Sequence, residues 1–311
     1  MIYNSIQQCR ISKKKDLVSV GKFKGMSLTG TFPKHINQKI PYLPFEVVFS
    51  KSSKLLQLKH NYNPKLLYGS NYGYRSGLNP VMIKHLKNKS ILLKKKIDFK
   101  KKDYILDIGA NDGTFLNFFD GQNIYGVDPT INKLNKYYNK KIHKFPYAFE
   151  KAYPKIKKNK YKLISAVAMF YDLKDPVLFM KKVKSILSYN GIFHIEVAYL
   201  PEIIKTFAYD GFCQEHYEYY SLISLSYLCK KTNMRIIDFG FNNINGGSIW
   251  VNVSHADSKF NFNDSKLKKQ ISYEKRKKID QQKTFKIFFK KVYKHAYNIN
   301  SILRKLKNKQ K

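Results

Sequence analysis

The segment from Tyr104 to Gly113 constrains the fold of this chain more than any other part of the sequence. It reads Tyr-Ile-Leu-Asp-Ile-Gly-Ala-Asn-Asp-Gly, so a short, mostly apolar strand runs directly into a polar turn that holds two glycines. Such strands are typical of parallel sheets that helices cover on both faces. Because ligands bind these sheets outside the carboxyl ends of the strands, the turn over 109–113 predicts a binding site.

The chain after this turn alternates between the two kinds of regular structure. We expect helices over 114–119 and 176–187, and further strands over 124–128, 163–168 and 191–196. Alternation of this kind is typical of a parallel α/β sheet. Residues 1–95 instead carry short strand-like pieces and turn signals such as Asn63-Pro64, which indicates a small irregular N-terminal domain.

Composition narrows the class of protein. Of the 311 residues, 43% are hydrophobic and 15% aromatic, which excludes disorder for the chain as a whole. The longest apolar run, Leu163 to Tyr171, is about half of the roughly 18 residues that a membrane helix needs. Met1 to Lys15 lacks the apolar core of a secretory signal, and three cysteines are too few for a disulfide framework. We therefore expect a cytoplasmic protein without a membrane span.

The formal net charge of +38 raises the question of a nucleic-acid partner. Only five of the 59 basic residues are Arg, the side chain that reads phosphate and guanine in a bidentate way. We expect no specific nucleic acid, and a nucleic-acid methyltransferase stays a weaker alternative.

Residues 265–311 form a basic tail with 17 Lys or Arg and two acids. Its apolar residues recur at intervals of three and four, which predicts an amphipathic helix: Phe285, Phe288, Phe289, Val292, Tyr293, Ala296, Ile299, Ile302, Leu303 and Leu306. We favour packing of this face on the rest of the protein over a membrane surface or a partner helix.

The turn is not a dinucleotide fingerprint. That pattern would need glycine at positions 109, 111 and 114, but Asn111 and Thr114 occupy two of them. Asp128 closes the next strand, where a carboxylate accepts hydrogen bonds from the hydroxyls of a ribose. The D-x-G-x-x-x-G turn with this acid resembles the S-adenosylmethionine site of class I methyltransferases. A generic turn that binds another nucleoside is the alternative.

Further blocks resemble the S-adenosylmethionine-dependent C-methyltransferases that act on nucleotide-linked keto-deoxysugars. They are Leu106 to Leu116, Gly126 to Thr130, Ala168 to Pro176, Asp210 to Ser221, Tyr72 to Gly77 and Asn245 to Ser248. The resemblance implies an α/β class I methyltransferase Rossmann-like sheet with a small N-terminal domain and a C-terminal helical tail. We expect the domains at 1–85, 86–255 and 256–311.

The resemblance also implies roles for single residues. Carbon methylation needs a base that removes a proton beside a ketone and a donor that stabilises the resulting enolate; His216, Glu215 and Tyr74 are the candidates for this chemistry. The expected contacts to S-adenosylmethionine are Asp107, Gly109, Asn111, Asp112, Gly113, Asp128, Pro129, Ala168, Met169 and Phe170. The expected contacts to the nucleotide-linked keto-sugar are Tyr72, Asp172, Tyr219 and Gly247.

Two departures from the family pattern stand out. The family opens with a zinc-binding domain of four cysteines, whereas this chain has Cys9, Ser12, Ser50 and Ser53 at those positions. One thiolate does not hold a structural zinc ion, so we expect no zinc and a domain that keeps its shape without it. The family also continues into a second Rossmann-like domain, whereas this sequence ends in the helix that leads there. We expect that this domain is dispensable or that a separate chain supplies it, unless the protein is an inactive remnant or a non-enzymatic binding partner.

Overall fold

The computed structural model describes residues 2–31, 33, 35, 37–68 and 72–309. Its strands are β1 (Tyr3–Ser5), β2 (Leu17–Ser27), β3 (Tyr42–Ser50), β4 (Leu56–Leu58), β5 (His60–Tyr62), β6 (Tyr104–Ile108), β7 (Asn123–Val127), β8 (His143–Phe145), β9 (Tyr161–Val167), β10 (Leu187–Ala198), β11 (Glu218–Tyr219), β12 (Met234–Asn242) and β13 (Ser248–His255). Its helices are α1 (Pro64–Leu67), α2 (Pro80–Lys96), α3 (Ile131–Leu134), α4 (Phe149–Ile156), α5 (Pro176–Ile186), α6 (Leu200–Thr206), α7 (Leu222–Lys231), α8 (Asp264–Arg276) and α9 (Gln282–Lys309).

Seven strands form the central sheet, in the spatial order β8-β7-β6-β9-β10-β13-β12. Neighbouring strands from β8 to β10 pair in parallel, whereas β13 is antiparallel to both β10 and β12. The chain enters this sheet at β6, continues outward through β7 and β8, and then returns to the other side of β6 with β9. The switch in strand order therefore lies between β6 and β9. The predicted α/β class I methyltransferase sheet is confirmed.

Local sequence explains why the sheet is buried on both faces. Ile105, Leu106 and Ile108 of β6 are buried at successive positions, so no face of this strand is left for water. On one side lies α5, whose first turn is set by Pro176 and by the Asp175 carboxylate, which accepts a hydrogen bond from the Leu178 N–H at 3.0 Å.

The prediction of a helix over 114–119 is wrong. The structure has a single 3-10 turn there, Leu116–Phe118. Phe115 and Phe119 are both buried beside this turn, and Gly121, with a φ of +73°, reverses the chain directly afterwards. Between the polar turn and β7, the burial of both rings is thus combined with a single 3-10 turn rather than an α-helix.

A second, antiparallel sheet has the order β11-β4-β3-β2. Three of its strands come from the N-terminal segment, but β11 comes from far along the chain and pairs Glu218 with Gln57. The residues just before β11, including His216, are therefore anchored to the N-terminal sheet.

The tail helix α9 packs on this second sheet. Phe285, Phe288, Phe289 and Val292 are buried there, and a β-carbon at Gly21 would lie only 2.5 Å from the Phe289 ring. The expected packing of the apolar face is confirmed for this half of the helix, while Ile302, Leu303 and Leu306 stay exposed. In the described part of the chain, no helix is long and apolar enough to cross a membrane.

Candidate active site

A cavity of about 870 Å³ opens at the carboxyl ends of β6, β7 and β9. Ten of the residues singled out from the sequence line it, which is the grouping expected for one binding site: Tyr72, Tyr74, Asp107, Gly109, Asn111, Asp128, Pro129, Ala168, Met169 and Asp172. Residues from the N-terminal segment thus meet residues from the sheet at one place.

The turn after β6 depends on backbone angles that favour glycine. Gly109 and Gly113 have φ values of +79° and +77°, and Asn111 between them has a φ of +49°. A β-carbon at Gly109 would lie 2.7 Å from the Met169 Cγ. Glycine at this position therefore lets the Ala168-Met169 segment approach the turn closely at the edge of the cavity.

Asp128 is held in a fixed orientation at the end of β7. Its Oδ2 accepts a hydrogen bond from the Asn111 N–H at 2.9 Å, and its Oδ1 accepts from the N–H and the hydroxyl of Thr130 at 2.7 and 2.6 Å. A carboxylate has about four acceptor positions. The three bonds to protein therefore leave acceptor capacity for a hydroxyl in the cavity.

Asp107 lies at the base of the cavity and is almost fully buried. Burial raises the pKa of its carboxyl to about 7, although the Ser165 hydroxyl, which donates to Oδ1 at 2.6 Å, opposes this shift. The side chain is thus neutral in mildly acidic solution.

Hydrogen bonds hold the segment from Tyr74 to Gly77 against the turn over 109–113, which we call the glycine turn. The Ser76 N–H donates to Asn111 Oδ1 at 3.0 Å, and Asn111 Nδ2 donates to the Tyr74 carbonyl at 3.2 Å. The Gly77 N–H donates to Asp112 Oδ2 at 2.9 Å. Asn111 and Asp112 therefore place the tyrosine-bearing segment against the turn and beside the cavity.

Asp172 and Tyr68 define a polar spot on another part of the cavity wall. Asp172 Oδ1 and the Tyr68 hydroxyl are both buried, and neither makes a hydrogen bond of ordinary geometry within the described residues, although the Tyr68 hydroxyl lies close enough to the Asp172 carboxyl to interact with it. Burial raises the pKa of Asp172 well above its usual range, while His216 and Tyr68 pull it the other way. Buried polar atoms without a partner are uncommon in proteins, so this spot is suited to a polar ligand group.

His216 lies beside the cavity, and its imidazole packs on Tyr171 with ring centroids 4.2 Å apart. Its Nδ1 is 2.9 Å from the Gly211 carbonyl oxygen. A carbonyl only accepts, so Nδ1 carries the proton and Nε2 of the neutral ring holds a free electron pair. Glu215 precedes it, and burial raises the pKa of that carboxyl.

The other residues singled out from the sequence lie behind or away from the cavity wall. Phe170 is fully buried against Phe179 and Phe193, Gly113 packs on Tyr138, and Asp112 binds Gly77 as described above. Tyr219 is buried in the second sheet and stacks on Phe212 with ring centroids 4.2 Å apart. Gly247, with a φ of +115°, packs against Glu202 in a turn.

Sequence reasoning missed several residues that line the cavity. They are Tyr68, Ser76, Phe115, Thr130, Tyr147, Ala148, Phe149, Glu150, Lys174 and Tyr217. The run 147–150 follows β8 and could have been found, because β8 is the next parallel strand along the sheet edge. Tyr68 gave no signal, since it stands among 24 tyrosines.

Comparison with known families decides the assignment. A family model described as a methyltransferase domain matches residues 82–238, which is more than half of the chain. The chain belongs to this methyltransferase family. A model described as "Putative zinc binding domain" matches residues 9–68 of the methyltransferase, and one described as a C-methyltransferase C-terminal domain matches residues 243–311.

A curated relative and two solved structures illustrate the likeness. The C-methyltransferase NovU of Streptomyces niveus is 26% identical over 262 residues, which cover 82% of this methyltransferase and 62% of that relative. The mitomycin 7-O-methyltransferase MmcR has 14% identity and a TM-score of 0.48, covering 62% of this chain and 58% of the other. The Burkholderia thailandensis 1,6-didemethyltoxoflavin-N1-methyltransferase has 13% identity and a TM-score of 0.42, covering 55% and 78%.

Proposed function

We propose that this methyltransferase transfers a methyl group from S-adenosylmethionine to a carbon beside the ketone of a nucleotide-linked keto-deoxysugar. The observation that carries the proposal is the cavity itself, because the glycine turn, Asp128, Tyr68, Tyr72, Tyr74 and Asp172 all line it. The match of residues 243–311 to a C-methyltransferase C-terminal domain supports carbon as the acceptor.

The residues at the turn suit S-adenosylmethionine. Asp128 has acceptor capacity left for the hydroxyls of a ribose, and Gly109 lets Met169 pack against the turn at the edge of the cavity. Asp107, Asn111, Pro129, Ala168 and Met169 line the same part of the cavity. When bound, S-adenosylmethionine supplies an electrophilic methyl group. No diphosphate is needed at this turn, which agrees with the absence of the dinucleotide fingerprint.

The part of the cavity lined by Tyr68, Tyr72 and Asp172 suits a ketone with hydroxyls nearby. We assign His216 Nε2 as the base that removes the proton from the carbon beside the ketone, because the hydrogen bond from Nδ1 to the Gly211 carbonyl fixes the required tautomer. We assign Tyr74 as the hydrogen-bond donor to the enolate oxygen. Asp172, Tyr68 and Tyr72 would bind sugar hydroxyls, and Glu215 would orient the imidazole or the sugar.

The reaction is tested by incubating the purified chain with S-adenosylmethionine and a panel of nucleotide-linked 4-keto-6-deoxyhexoses. We expect S-adenosylhomocysteine and a product heavier than the sugar substrate by one methylene group. Deuterium at the carbon beside the ketone should be lost from the product, because that proton leaves before methylation.

Calorimetry with S-adenosylmethionine separates the remaining outcomes. Binding without turnover on any keto-sugar would favour a non-enzymatic binding partner, and turnover on RNA with a steep salt dependence would favour a nucleic-acid methyltransferase. Either result would overturn the proposed function.

A further inference from the structure

Two matching turns meet in the N-terminal domain, within the region that the zinc-binding family model covers. In the first, Cys9–Lys13, the Lys13 N–H donates to the Cys9 carbonyl at 3.0 Å and Lys13 has a φ of +64°. In the second, Ser50–Lys54, the Lys54 N–H donates to the Ser50 carbonyl at 3.0 Å and Lys54 has a φ of +58°. We call these two segments the knuckle turns.

The knuckle turns direct their first and fourth side chains inward. Cys9 and Ser12 come from the first turn, Ser50 and Ser53 from the second, and all four are buried. Cys9 Sγ lies 3.1 Å from the Ser53 hydroxyl, which donates to the Ser50 hydroxyl at 2.9 Å. The Ser12 N–H donates to Cys9 Sγ at 3.4 Å.

This donor set does not fit a zinc ion. Structural zinc takes four ligands from Cys, His, Asp or Glu, whereas the knuckle turns offer one thiol and three serine hydroxyls. Within the described residues no three side chains of the metal-binding types come together. The protein therefore has the backbone of a metal knuckle with different chemistry at its centre.

The hydrogen bonds at this centre have one consistent direction. Ser50 Oγ donates to Asp16 Oδ1 at 3.0 Å, and Ser53 donates to Ser50, so each hydroxyl has used its single proton. Cys9 must then be the donor to Ser53, as a thiol rather than the thiolate that a metal requires. The Asp16 carboxylate is the final acceptor, and it also accepts from the Ser52 N–H at 2.6 Å.

We propose that the knuckle turns form a metal-free structural centre, in which the chain of hydrogen bonds Cys9–Ser53–Ser50–Asp16 holds the two turns together in place of a metal ion. This centre also positions Arg10, whose side chain projects from the first knuckle turn. Its guanidinium donates to the Leu58, His60 and Lys174 carbonyls and lies over the Tyr217 ring, 4.7 Å from its centroid. The centre thereby fixes the N-terminal domain against the segment that carries His216, whether or not the proposed reaction is correct.

The first test is metal content and chelation of the full-length protein. We expect purified wild-type protein to hold no stoichiometric zinc and its thermal midpoint to be unchanged by EDTA. Stoichiometric zinc that is lost in a C9S variant, or a midpoint that falls with EDTA, would overturn the proposal.

The second test rebuilds a metal site. The S12C/S50C/S53C variant should bind about one equivalent of zinc or Co²⁺, with the absorption of tetrahedral cobalt–thiolate coordination, and zinc should raise its thermal midpoint. The control S19C/S27C/S185C adds the same number of thiols at exposed positions and should bind no metal tightly. A folded rebuilt variant that binds no more Co²⁺ than this control would contradict the geometry that we assign.

A third measurement does not depend on the folding of the rebuilt variant. Ser53→Ala removes the link between Cys9 and Ser50, so it should lower the urea midpoint of a metal-free preparation. Ser19→Ala, an exposed matched control, should not. Equal midpoints would show that the hydrogen-bonded chain does not hold the knuckle turns together.

Discussion

The Nδ1 atom of His216 lies 2.9 Å from the carbonyl oxygen of Gly211. This contact fixes the tautomer of the neutral imidazole, and Tyr171 packs against the ring. The nitrogen that remains free, Nε2, is the one that can accept a proton. In the proposed reaction, this contact would prepare His216 as a base on a segment that β11 anchors to the N-terminal sheet.

We predict that His216→Gln lowers kcat by about 10²–10⁴-fold, the usual contribution of a general base. Binding of S-adenosylmethionine should stay within about twofold of wild type in calorimetry, because His216 lies beside the cavity and is not among the residues that line it. The control His143→Gln changes an exposed histidine and should retain full activity. Activity of H216Q equal to that of H143Q would remove His216 from the reaction.

Asp128 should control cofactor affinity. In Asp128→Asn, an NH₂ group replaces one of the two carboxylate oxygens. Because an NH₂ group cannot accept a hydrogen bond, the bond from Asn111 or those from Thr130 would be lost. We expect the Kd for S-adenosylmethionine to rise at least about tenfold, which corresponds to about 1.4 kcal/mol. Asp120→Asn, at an exposed site, should leave the Kd unchanged, and an unchanged Kd in D128N would exclude Asp128 from the cofactor site.

Asp107 should make stability depend on pH. Its folded-state pKa of about 7 lies above the ordinary value of 3.8. Between pH 3.8 and pH 7 the unfolded chain has therefore lost this proton while the folded protein keeps it, so the stability of the wild-type protein falls as the pH rises through this range. Asp107→Asn removes this dependence. The stability of D107N relative to wild type should therefore grow by about 1.4 kcal/mol per pH unit from pH 5 to 7 and level off above 7.

Urea unfolding at pH 5, 6, 7 and 8 measures this difference. Parallel pH profiles for D107N and wild type would show that Asp107 titrates normally. Asp120→Asn serves again as the exposed control, and its profile should follow wild type throughout.

Much of the fold was predictable from the sequence, and the exceptions have physical reasons. The apolar run before Asp107 and the turn after it are local signals, so β6 and the binding edge of the sheet could be placed. By contrast, β11 has only two residues, and its pairing of Glu218 with Gln57 is a long-range contact without a local pattern. The anchoring of the His216 segment to the N-terminal sheet therefore appears only in three dimensions.

The candidate site divides in the same way. The positions of Asp128 and Gly109 on the cavity wall were predictable, because both residues directly follow strand ends. Of the two buried polar groups Tyr68 and Asp172, the sequence indicated only Asp172, since a tyrosine in a short helix–loop segment shows nothing of its burial. Tyr219 shows the opposite error. The resemblance to the family predicted a contact between Tyr219 and the substrate, whereas its ring stacks on Phe212 in the second sheet.

Arg10 and Glu218 form a buried ion pair, with 3.7 Å between Nε and Oε1. We predict that Arg10→Met destabilises the protein by about 3–5 kcal/mol, because the Leu58, His60 and Lys174 carbonyls lose their donor and the buried Glu218 loses its neighbouring cation. The double variant R10M/E218M should recover only the part of this loss that comes from the isolated Glu218 carboxyl, because the Leu58, His60 and Lys174 carbonyls still lack their donor. Lys13→Met breaks the exposed pair with Asp175 and should cost under about 1 kcal/mol, and a similar loss in both single variants would contradict the assigned burial.

The two halves of α9 should respond differently to truncation of apolar side chains. Phe289 is buried, and its ring lies against Gly21, Phe23 and Phe212, so Phe289→Ala should cost about 3–5 kcal/mol in urea unfolding. Leu306 is 54% exposed on the same helix, so Leu306→Ala should change stability by no more than about 0.5 kcal/mol. Equal effects at the two positions would mean that the first half of α9 does not pack on the N-terminal sheet.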